Sequence, residues 1–453
     1  MRAFLGMGGV CLAIGLGVLA SPRDAAACGG CFHEPSQQTV STVVTDHRMA
    51  FTVSKTSTTL YDQIRYMGDP SKFAWMLPIA GDVSVGLSAD VMFASLDPLT
   101  QTTINAPFLA PCPRCPATGQ GLSCGGSASS LAFPGANDRS ADGGAAEDSG
   151  VQITKREVVG PYETVQLKAT DPMSISTWLI ANGFEIPIDV KPIIEAYQAE
   201  GFGFLALKLL PGKGVSSMRP VRVTTAGAGL GLPLRMVSAG TGANVGITLW
   251  VIGEGRYEPT DFPSFRITAD DLVWDWGVGS SNYATLRQEK TAASKGFGWE
   301  IESSTDVSRA RLEDLVLSGG TRFGTSPASD DYDPVMDPQN PQNDKTAEEV
   351  RTADLDTVFG GLSLARVTRM RADLARAALG KDLHLGASSD QSELSNVRNL
   401  TRYTNRPVCP VCPNQGLGGG GGCSEAANGA SDLGLLFAAA FVGMSALRRR
   451  RQS

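Results

Sequence analysis

The chain is poor in histidine, with only His33, His47 and His384 in 453 residues. That leaves few places for a Ser-His or Cys-His catalytic pair. Neither a G-x-S-x-G elbow nor an H-E-x-x-H helix occurs, so nucleophile-elbow hydrolases and zinc-helix proteases are excluded. No C-x-x-C pair is followed directly by histidine: Phe32 separates Cys31 from His33, which excludes c-type haem. Basic residues are outnumbered, 39 Lys and Arg against 46 Asp and Glu, and nucleic acid is therefore not an expected partner. Gly227-x-Gly229-x-Gly231 lies between strand-like segments and opens no helix onto a phosphate. Asp331, Asp333 and Asp337 lack the central glycine and closing glutamate of a calcium loop. The apolar run near the C-terminus, Leu433 to Leu447, has 15 residues, short of the ~20 that span a bilayer comfortably.

The two ends carry an address. Residues 1–27 read as a secretory signal: Arg2, an apolar region from Phe4 to Ala20, and the small-residue site Ala25-Ala26-Ala27. Ser21 to Asp24 separate the apolar region from Cys28, which favours ordinary cleavage before Cys28 over lipoprotein processing. Once both ends are trimmed, six arginines and three acids are lost, and residues 28–423 carry a formal net charge of −10. At the other end a glycine-rich linker and polar spacer (413–432) surround Cys423, and a hydrophobic helix with its arginine cluster follows (433–451). Arg448, Arg449, Arg450 and Arg451 act as a stop-transfer block, because positive charge prefers the cytoplasmic side. Small residues, a cysteine, a short apolar helix and terminal arginines in this order resemble the myxobacterial C-terminal sorting signals, the MYXO-CTERM group. The resemblance implies the export machinery and a sortase-like processing protease as partners. It also implies cleavage near Cys423, with Cys423 as the anchor at the cell surface. A plain membrane helix is the alternative.

Between the ends, the pattern predicts a β-rich α+β body with a few short helices. A first β-rich segment covers 28–110, a Gly/Ala/Ser-rich insertion 111–150, and the main α+β segment 151–412. Val40 to Val53 reads as a hairpin turning at Thr45-Asp46-His47, with Met49, Phe51 and Val53 on one face. Phe73 to Leu77 reads as a central strand, apolar on both faces, and Ser88 as the cap of a helix ending near Asp97-Pro98. Two strands flank Gly160-Pro161. Asp171 and Pro172 then open a helix closed by Gly183, and a second helix runs from Asp189 to Gly201. Phe202 to Leu210, Val221 to Thr225, Val245 to Ile252 and Phe265 to Trp276 read as strands, and Gly319 to Gln342 as a polar loop. Leu364 to Leu379 fits a helix or a strand equally.

Several motifs in order resemble a family of secreted prokaryotic proteins, a domain of unknown function whose members begin Ala-Cys-Gly-Gly after the signal peptide. They are Cys28-Gly29-Gly30, Gly68-Asp69-Pro70 with Phe73-Ala74-Trp75 and Pro78, Gly160-Pro161-Tyr162, and Trp178-Leu179 with Asn182-Gly183-Phe184. Cys31 follows Gly30 directly where members carry aromatics first, so no role transfers to the N-terminal pair. The resemblance favours a strand over Arg366 to Ala372 and implies no activity.

Three C-x-x-C pairs remain: Cys28/Cys31, Cys112/Cys115 and Cys409/Cys412. For an exported protein, disulfides are the default. Cys112, Cys115, Cys409 and Cys412 could instead supply four thiolates to zinc, the one cofactor the sequence admits. Thiol–disulfide exchange needs a C-x-x-C opening a helix after a strand; Cys28 is at a chain end and the other pairs sit among prolines. Trp274 and Trp276 beside Asp275 form a candidate sugar-binding group, against the alternative of a strand with one core face and one wet face. The expectation is a non-enzymatic, surface-anchored binding or structural protein of the cell envelope. An extracytoplasmic enzyme, thiol-exchanging or hydrolytic, is the rival.

Overall fold

A computed structural model describes residues 43–67, 74–110, 151–169, 171, 173–181, 190–214, 217–238, 244–323, 332 and 346–409. The expected signal peptide, Cys28 and Cys31, the insertion, the linker, Cys423 and the apolar tail with its arginines lie outside these residues. By contact the chain divides into two units: Met1–Ala110 with Gly125–Pro407, and Pro111–Cys124 with Val408–Ser453. No helix among the described residues is long and apolar enough to cross a membrane.

The body opens with a hairpin of β1 (Val43–Val53) and β2 (Ser57–Met67). Its turn is Ser54 to Thr56, where the Ser54 hydroxyl accepts from the backbone N–H groups of Thr56 and Ser57. The turn expected at 45–47 is instead strand, and the polar residues there are absorbed by a register shift between Val44 and His47. β3 (Ala74–Ile79) is apolar on both faces, as expected, but it is an edge strand paired only with β8. β4 (Ser84–Leu87) leads into α1 (Asp90–Thr100), whose N-cap is Ala89 rather than Ser88. The Ser88 hydroxyl is used elsewhere: it donates to Asp354 at 2.7 Å. α1 also runs through Pro98 to Thr100.

After β5 (Thr103–Asn105), the pair β6 (Val151–Val159) and β7 (Tyr162–Ala169) turns at Gly160. Gly160 has φ +58°, and a Cβ there would lie 2.2 Å from Leu87 Cδ1, so only glycine fits. α2 (Ser174–Ala181) and α3 (Lys191–Ala199) follow, with Ile175, Leu179, Val190, Ile194 and Tyr197 buried as their spacing predicts. Next come β8 (Gly203–Leu209), β9 (Val221–Ala226), β10 (Gly231–Leu232), α4 (Leu234–Val237) and β11 (Asn244–Gly253).

The segment read as one strand from Phe265 to Trp276 is broken up. It contains β13 (Ser264–Phe265, after β12, Tyr257–Pro259), a 3-10 turn at Ala269–Asp271 and β14 (Trp274–Asp275). Thr268 and Asp271 close a capping box on that turn and interrupt the strand. β15 (Ser280–Ser281), α5 (Tyr283–Ala293), β16 (Trp299–Ser308) and α6 (Arg309–Phe323) follow. The first residues of the expected loop at 319–342 are thus helical. α7 (Ala347–Phe359) begins with a Thr346/Glu349 capping box and ends at Gly360. β17 (Leu364–Ala375) settles the ambiguous segment as strand, and β18 (Leu383–Ala387), β19 (Val397–Asn399) and β20 (Tyr403–Thr404) complete the body.

Two sheets stack face to face. The larger has the order β13-β16-β17-β11-β1-β2-β9-β4, the smaller β3-β8-β7-β6. Strand alternation divides the apolar side chains into layers. Met49, Phe51, Leu249, Val251, Met370 and Leu205 fill the space between the sheets. Trp250, Ile252 and Val367 pack outward under α1, α6 and α7, while Phe204 and Met76 pack outward under α2 and α3. The result is a helix–sheet–sheet–helix stack in which both sheets are covered on both faces. Strands from 43–110 and from 221–375 share the larger sheet, so the segments before and after the insertion form one folded body.

Candidate functional site

The outer face of the larger sheet is apolar along only part of its length. Register places Glu300 beside Arg371, Arg371 beside Thr248, Thr248 beside Arg48, and Arg48 beside Gln63. Side chains directly opposite each other share a face, so five polar residues from five strands form one line across the sheet. In the neighbouring line, Arg369 pairs with Trp250. α1 lies over both lines and adds Asp97, with Gln101 directly after its last residue. Arg48, Asp97, Gln101, Gly246, Ile247, Thr248, Arg369 and Arg371 enclose a polar cleft of about 340 Å³, within the size range of small-molecule sites.

Trp250 organises this cleft. It is fully buried, its Nε1 donates to Thr100 Oγ1 at 2.9 Å, and Phe93 meets it edge-to-face. The guanidinium carbons of Arg48 and Arg369 stand 5.4 and 5.0 Å from its ring, within cation–π range. Asp97 pairs with both arginines and Glu302 with Arg369. Arg48 also donates to Gln63 Oε1 and to the Phe93 carbonyl, each at 3.4 Å. Two of the three guanidiniums are therefore fixed. Arg371 differs: it is exposed and its side chain makes no ion pair or hydrogen bond among the described residues. A cleft lined by three arginines and one carboxylate is locally cationic on an acidic protein.

A second network continues from this line. Tyr283 Oη donates to Glu300 at 2.8 Å, and Arg287 bridges Glu300 at 3.0 Å and Asp373 at 2.6 Å. Burial, then the neighbouring Glu302, pushes the Glu300 carboxyl above its usual range, against Tyr283 and Arg287. Burial likewise raises the Tyr283 hydroxyl, with Glu300 and Glu302 adding to it. Burial works against the charge of Arg287, but Asp373 and Glu300 outweigh it and its pKa rises.

The sequence-predicted sites fare differently. Trp274 and Trp276 do come together, edge-to-face at 6.0 Å and 68°. Trp274 packs beside Ile267, Leu272 and Leu400. The Asp275 carboxylate is occupied within the protein, accepting from Gly277 N–H at 2.7 Å and from Asn405 Nδ2 at 2.9 Å. Among the cysteines only Cys409 is described, and it is not without a partner. Cys28, Cys31, Cys112, Cys115, Cys412 and Cys423, with Arg448 to Arg451, lie outside the described residues. No group of three or more metal-binding His, Cys, Asp or Glu occurs among the described residues.

A family model matches residues 22–375, well over half of the chain; its description is an uncharacterised protein conserved in bacteria, DUF2330. The chain belongs to this family. No curated protein and no solved structure matches it. The DUF2330 match ends at Ala375, the last residue of β17, so it contains every residue of the arginine cleft. β18 to β20 lie beyond it. Sequence reading missed the cleft. The nearest signal was the alternation of Val367, Arg369 and Arg371, which identifies a strand face but not what the face meets.

Proposed function

We propose that this DUF2330 protein is an exported binding module of the cell envelope whose arginine cleft captures a small solute through a carboxylate or phosphate group. The observation that carries this reading is Arg371: an exposed, unpaired guanidinium in a cleft where Arg48 and Arg369 are already held in place. A planar guanidinium fork suits bidentate recognition of either oxyanion. Thr248 and Gln101, at the same cleft, add a hydroxyl and an amide that make no side-chain hydrogen bond among the described residues. The reading is of binding, since guanidinium, amide and hydroxyl groups at the cleft are the donors that hold an oxyanion.

The address comes from the two ends of the sequence: secretion through residues 1–27 and anchoring through Cys423, the apolar run and the terminal arginines. Disulfides suit that compartment better than zinc. For these cysteines the reading is a cross-link between the two Cys-Pro-x-Cys segments, on the length of the loop it would close. In the loop-entropy model such a bond closes nearly 300 residues and contributes ~5–6 kcal/mol, against ~2 for a bond within one C-x-x-C.

Thermal unfolding of the mature protein across a panel of anions tests the binding role. Phosphate, succinate or galacturonate at 100 times Kd should stabilise by about 2.7 kcal/mol. Equal stabilisation by chloride at matched ionic strength would leave the cleft without a specific ligand.

A further inference from the structure

The outer face of the larger sheet carries a second row of polar side chains. It crosses β1 at Thr52, ~13 Å from Arg48 at a strand rise of ~3.3 Å per residue. Register sets Ser84 beside Thr224, Thr224 beside Thr59, and Thr59 beside Thr52, so β4, β9, β2 and β1 each contribute a hydroxyl. The row continues through Ile252 and Val367, which pack under the helices. α7 ends beside the hydroxyl half: its last residue is Phe359, and Gly360 and Gly361, with φ +58° and +87°, turn the chain towards β17. The space at this helix end is about 400 Å³, within the range of small-molecule sites. Thr52, Thr59 and Thr224 line it together with the apolar Ile252, Phe359 and Leu362.

Hydrogen bonding and charge together select the ligand. Thr52 is 6% exposed, yet its hydroxyl makes no hydrogen bond among the described residues. A buried hydroxyl is costly without a partner, and an occupant of the pocket supplies one. Thr59 and Thr224 bond to each other at 2.8 Å, which leaves one O–H and several lone pairs for the same occupant. The charged residue of the lining is Asp356, and its carboxylate is paired with Arg309. The C-terminal end of α7 adds partial negative charge, which disfavours an anion. An uncharged molecule with hydroxyls on its rim and C–H groups on its face matches both halves of the lining, and a sugar ring has both. We propose that this pocket binds a neutral sugar ring. Thr52, Thr59 and Thr224 hold its hydroxyls, and Ile252, Phe359 and Leu362 pack against its C–H face. The site is separate from the arginine cleft and opposite to it in ligand charge.

Saturation-transfer NMR and calorimetry of the mature protein with glucose, galactose and N-acetylglucosamine provide the test. At least one of the three should bind. Thr52→Val keeps the side-chain shape and removes a hydroxyl that holds no protein partner, so the variant should keep at least the wild-type urea midpoint. Its affinity for that sugar should fall about 2- to 13-fold, the share of one neutral hydrogen bond. Thr52→Val combined with Thr224→Val should weaken binding further; if the double variant fails to fold, the single one decides. Saturating phosphate should leave sugar binding unchanged, which separates this pocket from the arginine cleft. Absence of binding by all three sugars, wild-type affinity in Thr52→Val, or displacement of the sugar by phosphate would overturn the proposal and leave the hydroxyls as a wetted sheet margin.

Discussion

Asp354 offers the sharpest test of how the outer layer is held. It sits on α7 with no exposure and receives three donors: Arg222 Nη1 at 3.1 Å, Ser88 Oγ at 2.7 Å and Tyr332 Oη at 3.1 Å. These donors come from β9, from the residue after β4, and from Tyr332, so one carboxylate ties α7 to the larger sheet. Asp354→Ala leaves a largely buried guanidinium without its counter-charge, a loss that costs ~3–5 kcal/mol. Burial pushes the Asp354 pKa up despite Arg222 and the hydroxyls, so the environment does not fully repay desolvation. Replacing both partners with apolar residues, as in Asp354→Leu with Arg222→Met, should therefore recover most of the loss. The raised folded pKa also fixes a pH dependence. The carboxyl contributes most stability below its unfolded value of 3.8 and loses that contribution as pH rises through the folded value. Relative to Asp354→Asn, the wild type should weaken with rising pH. Urea denaturation followed by tryptophan fluorescence reads both effects. An Asp354→Ala variant within ~1 kcal/mol of wild type would refute the reasoning, since removing one member of a buried pair should cost more.

Three further outcomes are expected. Gly160→Ala should destabilise the body by at least ~1–3 kcal/mol, the cost of a side chain in left-handed backbone; overlap with Leu87 adds to it, and an unchanged urea midpoint would contradict the turn geometry. Intact-mass measurement of protein from its native membrane should show Cys28 as the first residue and no Arg448 to Arg451, whereas retained arginines would favour a plain membrane helix. Non-reducing peptide mapping should find at least one bond joining Cys112 or Cys115 to Cys409 or Cys412; peptides linked only within each C-x-x-C would remove the clamp.

The parts of the fold legible in the sequence are those encoded locally. Val221 to Thr225 and Val245 to Ile252 declare themselves through β-branched runs, and α2 and α3 through spacing and glycine stops. Errors arose where a local signal was overruled from a distance. Thr45-Asp46-His47 has turn composition, yet backbone pairing with β2 and β11 keeps His47 in a strand. Ser88 has a capping residue's chemistry, but its hydroxyl is taken by Asp354, 266 positions away. The cleft was illegible for the same reason. Arg48 and Arg371 are brought into one line only by parallel pairing of β1 with β11 and antiparallel pairing of β11 with β17. Neither register can be read from one strand alone. Trp250 gives no hint of its cationic neighbours, because they arrive from β1 and β17.

The central claim is that Arg371 is the free hand of an oxyanion site. Calorimetric titration of the mature protein with the most stabilising anion of the panel, against wild type and Arg371→Ala, tests it most directly. Arg371 is exposed and unpaired, so the variant should keep the wild-type urea midpoint. Loss of a charge-assisted contact worth ~1.5–3 kcal/mol should weaken binding by about 10- to 150-fold. Wild-type affinity in the Arg371→Ala variant would contradict the account.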